Sequence, residues 1–147
     1  MILSRSSEYG IELVLYLMTH EAPGFASLRT ISDETGLSFH YLSKIARMLT
    51  RRDILKSYRG PRGGVTLGKP AAEITLFDVV HAIEGDALFE KCILRPGPCQ
   101  EENPCPIHEK WLPIRDRIRE LFMETSIEVF QEPVLTAHAP RNNRQNP

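Results

Sequence analysis

Through residue 50 the apolar residues recur at three- and four-residue steps, and the polar residues between them supply helix starts. Tyr9, Leu13, Tyr16, Leu17 and His20 fall on one stripe of a helix that Ser4 or Ser6 can cap. Glu21-Ala-Pro-Gly interrupts it. Ser27 opens a short second helix, with Leu28 and Ile31 inward and Gly36 at its end. Ser38 opens a third. Its buried stripe is Leu42, Ile45 and Leu49, and its other face shows His40, Tyr41, Ser43, Lys44, Arg47 and Arg51. The period then drops to two. Ile54 to Arg59 alternates as a strand, Gly60-Pro-Arg-Gly-Gly turns the chain, and Val65-Thr-Leu brings it back as a β-hairpin. Two short helices joined through Gly36 and followed by a hairpin predict a winged helix-turn-helix.

Thr75-Leu-Phe-Asp78 is a variant capping box opening a helix with Val79, Val80 and Ile83 inside and Gly85 at its end. From about Ile107 a longer stripe of Trp111, Ile114, Ile118, Leu121 and Phe122 predicts a long helix, which Pro113 should kink or shorten by its first turn. Thr125 to Glu128 predicts a short helical restart through Phe130. From Pro133 the chain is rich in Pro, Asn and Arg, a composition that favours disorder. The expected fold is mainly α with a small β-hairpin. A winged head spans 1–70, a loop and long helix span 71–132, and a disordered tail spans 133–147. In so small a chain the stripe of the long helix needs cover, from its own core or from a second copy.

A length of 147 residues suits one domain or two small ones. No apolar run approaches the roughly 20 residues of a membrane span. LVLYLM at 13–18 is too short, so no membrane association and a cytoplasmic location are expected. The net charge of −1 hides a split. Residues 38–70 carry eight Lys and Arg against one acid, a net of +7, between an N-terminal block at −3 and residues 71–137 at −7. A basic block with acidic flanks predicts an anionic partner on one face. Ser38, His40, Tyr41, Ser43 and Lys44 stand at the start of the third helix, where short polar side chains can reach phosphates or base edges. Ser38 serves equally well as a plain cap, and Tyr41 as core. Lys44, Arg47, Arg51 and Arg52 suit phosphates. Arg59 and Arg62, on the hairpin, suit the negative potential of a minor groove.

All three cysteines, Cys92, Cys99 and Cys105, lie in a segment broken by Pro96, Gly97, Pro98 and Pro104, and His108 follows three residues after the last. An odd number fits a disulfide framework poorly. Three thiolates and an imidazole form a four-ligand set for zinc or for an iron–sulfur cluster. The Cys-x-x-Cys pairs of zinc fingers are absent. Cys105 and His108 need a third group to act as a nucleophile and base, and none stands out, so an enzyme is not expected.

In this order the residues resemble the IscR/NsrR-like (Rrf family) winged helix-turn-helix regulators, bacterial repressors and activators that carry iron–sulfur clusters. The resemblance rests on Glu8-Tyr-Gly, on Ile31-Ser and Leu37-Ser38 before Tyr41-Leu42, and on Arg59-Gly-Pro-Arg-Gly-Gly-Val-Thr-Leu-Gly-Lys69. It continues through Asp78-Val-Val, Ala82-Ile-Glu84-Gly, the three cysteines, and Cys105-Pro-Ile-His108 before Trp111. It implies a redox, nitric oxide or iron sensor that binds a double-stranded DNA operator as a homodimer, joined through Trp111, Ile114, Ile118, Leu121 and Phe122. It implies Cys92, Cys99 and Cys105 as cluster ligands. The fourth is His108 in the branch with a [2Fe–2S] cluster, which is favoured, or Glu8 from the partner subunit in a branch that includes [4Fe–4S] proteins. Six residues separate Cys92 from Cys99, one more than in the family's best-known members. The alternatives are a cluster-free or zinc-binding winged-helix repressor with redox-active thiols, and a small electron carrier, which has no use for the +7 block.

Overall fold

The computed structural model describes residues 3–20 and 24–130, so the expected tail at 133–147 lies outside the described residues. The order is α1 (Arg5–Thr19), α2 (Leu28–Thr35), α3 (Phe39–Thr50), β1 (Leu55–Tyr58), β2 (Gly64–Leu67), α4 (Leu76–Glu84), α5 (Ala87–Glu90) and α6 (His108–Glu124). Turns of 3-10 helix at Ala71–Glu73 and Ile127–Val129 flank α4 and close the described chain.

Local side-chain chemistry sets the starts of α1, α2 and α4. Ser4 caps α1 by accepting from the Ser7 N–H at 3.2 Å, and Ser27 caps α2 by accepting from Arg29. At α4 the box is reciprocal: the Asp78 N–H donates to Thr75 Oγ1 at 3.1 Å and the Thr75 N–H to Asp78 Oδ2 at 2.9 Å. Gly36 ends α2 in the left-handed region at φ 72°, which glycine enters without a Cβ penalty.

The buried face of α1 differs from the expected stripe. Ser7, Gly10, Ile11, Leu13, Val14 and Leu15 are buried, whereas Tyr9, Tyr16 and Leu17 are half-buried and His20 is exposed. The reason is tertiary. Helix α1 packs on α3 and α4 together and touches β2, so more than one stripe is covered. The tyrosines stand at the rim of that contact with polar tips reaching out. Tyr16 donates to Glu34, Tyr9 meets the Tyr41 ring edge-on at 5.2 Å, and His20 stacks on Tyr16. Leu42, Ile45 and Leu49 of α3, Ile54, Leu55, Val65, Ile74 and Val79 complete the centre of the core.

Strands β1 and β2 pair antiparallel, from Leu55 opposite Leu67 to Tyr58 opposite Gly64. The hairpin is clamped to the head of α2 by a double bridge: Ala26 and Val65 exchange both backbone hydrogen bonds at 2.8 Å. Gly64 permits it, since a Cβ there would lie 2.0 Å from the Ala26 carbonyl oxygen.

Two expectations for the C-terminal part are corrected. Helix α6 runs unbroken through Pro113 instead of losing its first turn. The carbonyl orphaned by the missing N–H belongs to Glu109, which is exposed, and water can take that bond. The restart after Thr125 is one 3-10 turn, because the chain is pulled back onto α4. The Ile127 N–H donates to the Ile74 carbonyl at 2.8 Å, the Leu76 N–H donates to the Thr125 carbonyl at 2.9 Å, and Ile127 is buried. Phe89 of α5 is buried between Phe77 and Phe122, with ring centroids 4.8 and 5.8 Å away, which fixes α5 and α6 to α4.

Candidate functional site

Helix α3 presents its N-terminal end and one flank to solvent. Ser38 is its N-cap by position, but its hydroxyl makes no cap hydrogen bond, and Ser38, His40, Lys44, Arg47 and Arg51 are all exposed. Tyr41 turns inward: its hydroxyl bonds Ser6 Oγ at 2.9 Å and its ring meets Tyr9. Ser43 folds back onto the Phe39 carbonyl at 2.8 Å. Arg59 and Arg62 are exposed on the turn of the hairpin. Among the described residues, the ion pairs found join His81 to Asp86 and lie within α6, and none engages Lys44, Arg47, Arg51, Arg59 or Arg62. The head thus carries unneutralised cations on α3 and on the wing. Two residues there carry no signal in the sequence pattern. Phe39 is 40% exposed, and the Arg29 guanidinium sits 4.5 Å from its ring centroid.

The second site is the loop between α5 and α6. Backbone bonds close it: the Cys99 N–H donates to the Glu90 carbonyl at 2.9 Å and the Cys92 N–H to the Gly97 carbonyl at 3.1 Å, with Lys91 and Pro98 bridged between them. This narrow closure sets Cys92 and Cys99 close together, and both thiols lie near that of Cys105. The Trp111 indole of α6 donates to the Lys91 carbonyl at 3.2 Å and ties the loop to the helix. Cys105 and His108 are buried, and the His108 N–H donates to the Cys105 carbonyl at 3.0 Å.

The thiols influence one another. The Leu94 N–H directed at the Cys92 sulfur, then the Arg95 N–H and the Cys105 and Cys99 thiols, hold Cys92 below the ordinary thiol range despite some desolvation. Desolvation, followed by the charge of Cys92, pushes Cys99 up, and Arg115 opposes this. Arg115 is a neighbour that the periodic reading passed over. It lies seven residues after His108, on the same face of α6, and that spacing is its sequence signal.

Cys92 therefore meets both other thiols, yet among the described residues no three Cys, His, Asp or Glu side chains converge on one point that would hold a single metal ion. An iron–sulfur cluster spreads its ligands over more than one iron, so its thiolates need not meet at one point. The donor set of three gathered thiols and a buried imidazole fits such a group in chemistry. Glu8 lies half-buried in the first turn of α1 and joins no such group among the described residues.

The stripe of α6 divides. Phe122 faces the core against Phe89, and Trp111 and Ile118 are half-buried. Ile114 and Leu121 are each 55% exposed and, with exposed Ile107, recur at seven-residue steps as an apolar seam. Among the described residues no helix is long and apolar enough to cross a membrane.

Known proteins share this architecture. The family model Rrf2, described as an iron-dependent transcriptional regulator, matches residues 3–133. The HTH-type transcriptional regulator IscR of Photorhabdus laumondii is 32% identical over 145 residues, covering 97% of this chain and 88% of that protein. The structure of CymR, the global cysteine regulator of B. subtilis, superposes with a TM-score of 0.71 at 29% identity, covering 88% of this chain and 95% of that one. T. potens IscR has the same fold, with a TM-score of 0.71 at 22% identity over 93% of this chain and 90% of its own. These relatives are regulators of transcription rather than enzymes. With one family model spanning both the winged head and the thiol loop, the chain belongs to the Rrf2 family of transcriptional regulators.

Proposed function

We propose that this regulator grips a DNA operator as a homodimer and that Cys92, Cys99, Cys105 and a fourth ligand hold an iron–sulfur cluster, [2Fe–2S] in the first instance, whose state sets operator affinity. The observation that carries the proposal is the gathering of three thiols beside buried His108 at the start of the helix that bears an unpaired apolar seam. His108 is the favoured fourth ligand because it follows Cys105 within one helical turn. Glu8 of the partner subunit is the alternative, with a [4Fe–4S] cluster. When bound, the cluster supplies a centre that gains or loses an electron, or is lost to nitric oxide or iron starvation. The rest belongs to the protein. The seam of Ile107, Ile114 and Leu121 pairs with its two-fold mate. The exposed end of α3 enters the major groove, and Arg59 and Arg62 take the flanking backbone or minor groove. Loop position reaches the head through α4, which packs on α6 and also on α1 and α3. A coupling of about 1–3 kcal/mol makes a usable switch.

The test is protein purified without oxygen, analysed for iron and acid-labile sulfide and by Mössbauer spectroscopy, then assayed on operator DNA before and after cluster removal. Iron and sulfide in equal amounts, lost in C92A, C99A and C105A, with a change in affinity, support the proposal. Loss in H108A but not in E8A assigns the fourth ligand. Colourless protein with stoichiometric zinc, or equal operator affinity with and without the cluster, overturns it in favour of a winged-helix regulator with redox-active or zinc-bound thiols.

A further inference from the structure

A solitary exposed phenylalanine means little on a protein surface. Phe39 is set apart by where it sits and by what holds it. It is the first residue of α3, immediately after Ser38, at the end of the helix that enters the groove in helix-turn-helix docking. Arg29 of α2 lies over its ring at 4.5 Å, which fixes the ring and places a cation beside it. It nevertheless remains 40% exposed, so the ring is braced without being covered. Of its polar neighbours, Tyr41 is spent on Ser6 and Ser43 on the Phe39 carbonyl, while Ser38 and His40 remain exposed. The end of the helix therefore offers one apolar surface among polar ones. In the major groove the apolar feature that distinguishes one base from the others is the thymine C5-methyl group, and phenylalanine is among the side chains that contact it.

The geometry points to Phe39 as a specificity residue that reads a thymine methyl in each half-site, with Arg29 as the positioning residue that holds the ring in place. This rests on the proposed DNA-binding role and deepens it by naming a base that the head selects.

The test uses the full-length, cluster-loaded protein without oxygen, and duplexes selected by it from a random pool. Each thymine of one half-site is replaced in turn by deoxyuridine, which removes only the methyl. One position loses about fourfold in affinity, the worth of one buried methyl group. F39A binds more weakly and is indifferent to uracil at that position. F39L, still apolar, keeps part of the sensitivity, and R29Q loses part of it. If uracil is tolerated at every thymine, or if F39A shows the same uracil sensitivity as the parent, the assignment is overturned while DNA binding stands. If selected and random duplexes are bound alike, sequence reading fails and Phe39 with it.

Discussion

Glu84, the last residue of α4, accepts three hydrogen bonds at one carboxylate oxygen: from the Ser4 N–H at 3.2 Å, from the Ser4 hydroxyl at 2.6 Å and from the Ser7 hydroxyl. One carboxylate thus ties the start of the head's first helix to the end of the helix that leads into the thiol loop. Its removal costs different amounts at the two serines. Ser4 is exposed and returns to water almost freely. Ser7 is fully buried, and stranding its hydroxyl costs about 1–3 kcal/mol. Helix dipoles change little in the sum. A negative charge is favourable at the N-terminus of α1 and unfavourable at the C-terminus of α4 by similar amounts. E84A should therefore lose about 2 kcal/mol, or about 7 °C in Tm at fixed protein concentration. E84Q keeps an acceptor and should lose about half as much. S7A in the E84A background should recover stability, because the stranded group is gone, for a coupling of about 1 kcal/mol in a double-mutant cycle. Burial pushes the Glu84 pKa up, but the Ser4 and Ser7 hydroxyls, the Ser4 N–H and nearby Lys91 together hold it below its ordinary value of 4.5. A folded-state pKa below the unfolded one means that the contribution is complete above 4.5 and is lost as pH falls through the lower folded value. The gap between parent and E84A should stay constant from neutral pH down to about pH 5 and narrow below it, toward the gap that separates E84Q from E84A. Simple additivity of S7A and E84A, or a gap that widens in acid, would refute the argument.

The wing and its charges yield two further expectations. G64A places a Cβ 2.0 Å from the backbone oxygen of Ala26, which cannot swing aside, so it should break the double bridge, cost about 2 kcal/mol or more, and weaken operator binding by shifting Arg59 and Arg62. A thermal melt that matches the parent would mean that the clamp is dispensable. R62A should lower the slope of log K against log salt by about 1.8 for a dimer, two phosphates released at about 0.9 each. An unchanged slope would take Arg62 off the phosphates.

What the sequence discloses in this chain is what is chemically local. Ser27, Gly36 and the Thr75–Asp78 box act on backbone groups within a few residues, so their pattern places both ends of α2 and the start of α4 and narrows the start of α1 to Ser4 or Ser6. The wing follows from a change of period and a glycine-rich turn. The breadth of the buried face of α1 was hidden, because it depends on α3 and α4 arriving from two sides. That α6 keeps its first turn before Pro113 was hidden, because the effect of a missing N–H depends on whether the orphaned carbonyl is wet. Phe39 falls outside the buried stripe of α3, and only its exposure in the fold sets it apart. The cysteines were visible as a group, but not the closure that gathers them, which belongs to the backbones of Glu90, Lys91, Gly97 and Pro98.

The two ties that join loop to head are hidden for the same reason. Glu84 bonds Ser4 across 80 positions, and the Lys91 carbonyl receives the Trp111 indole across 20. No pattern within a window connects such pairs, yet both land on one short stretch, residues 84–91, with Phe89 buried between them. A loop that shifts pulls on Lys91. Phe89 is packed between Phe77 and Phe122, and the other end of that stretch is the carboxylate that holds α1. The short stretch between α4 and the thiol loop is therefore tied at one end to α1 and at the other to α6.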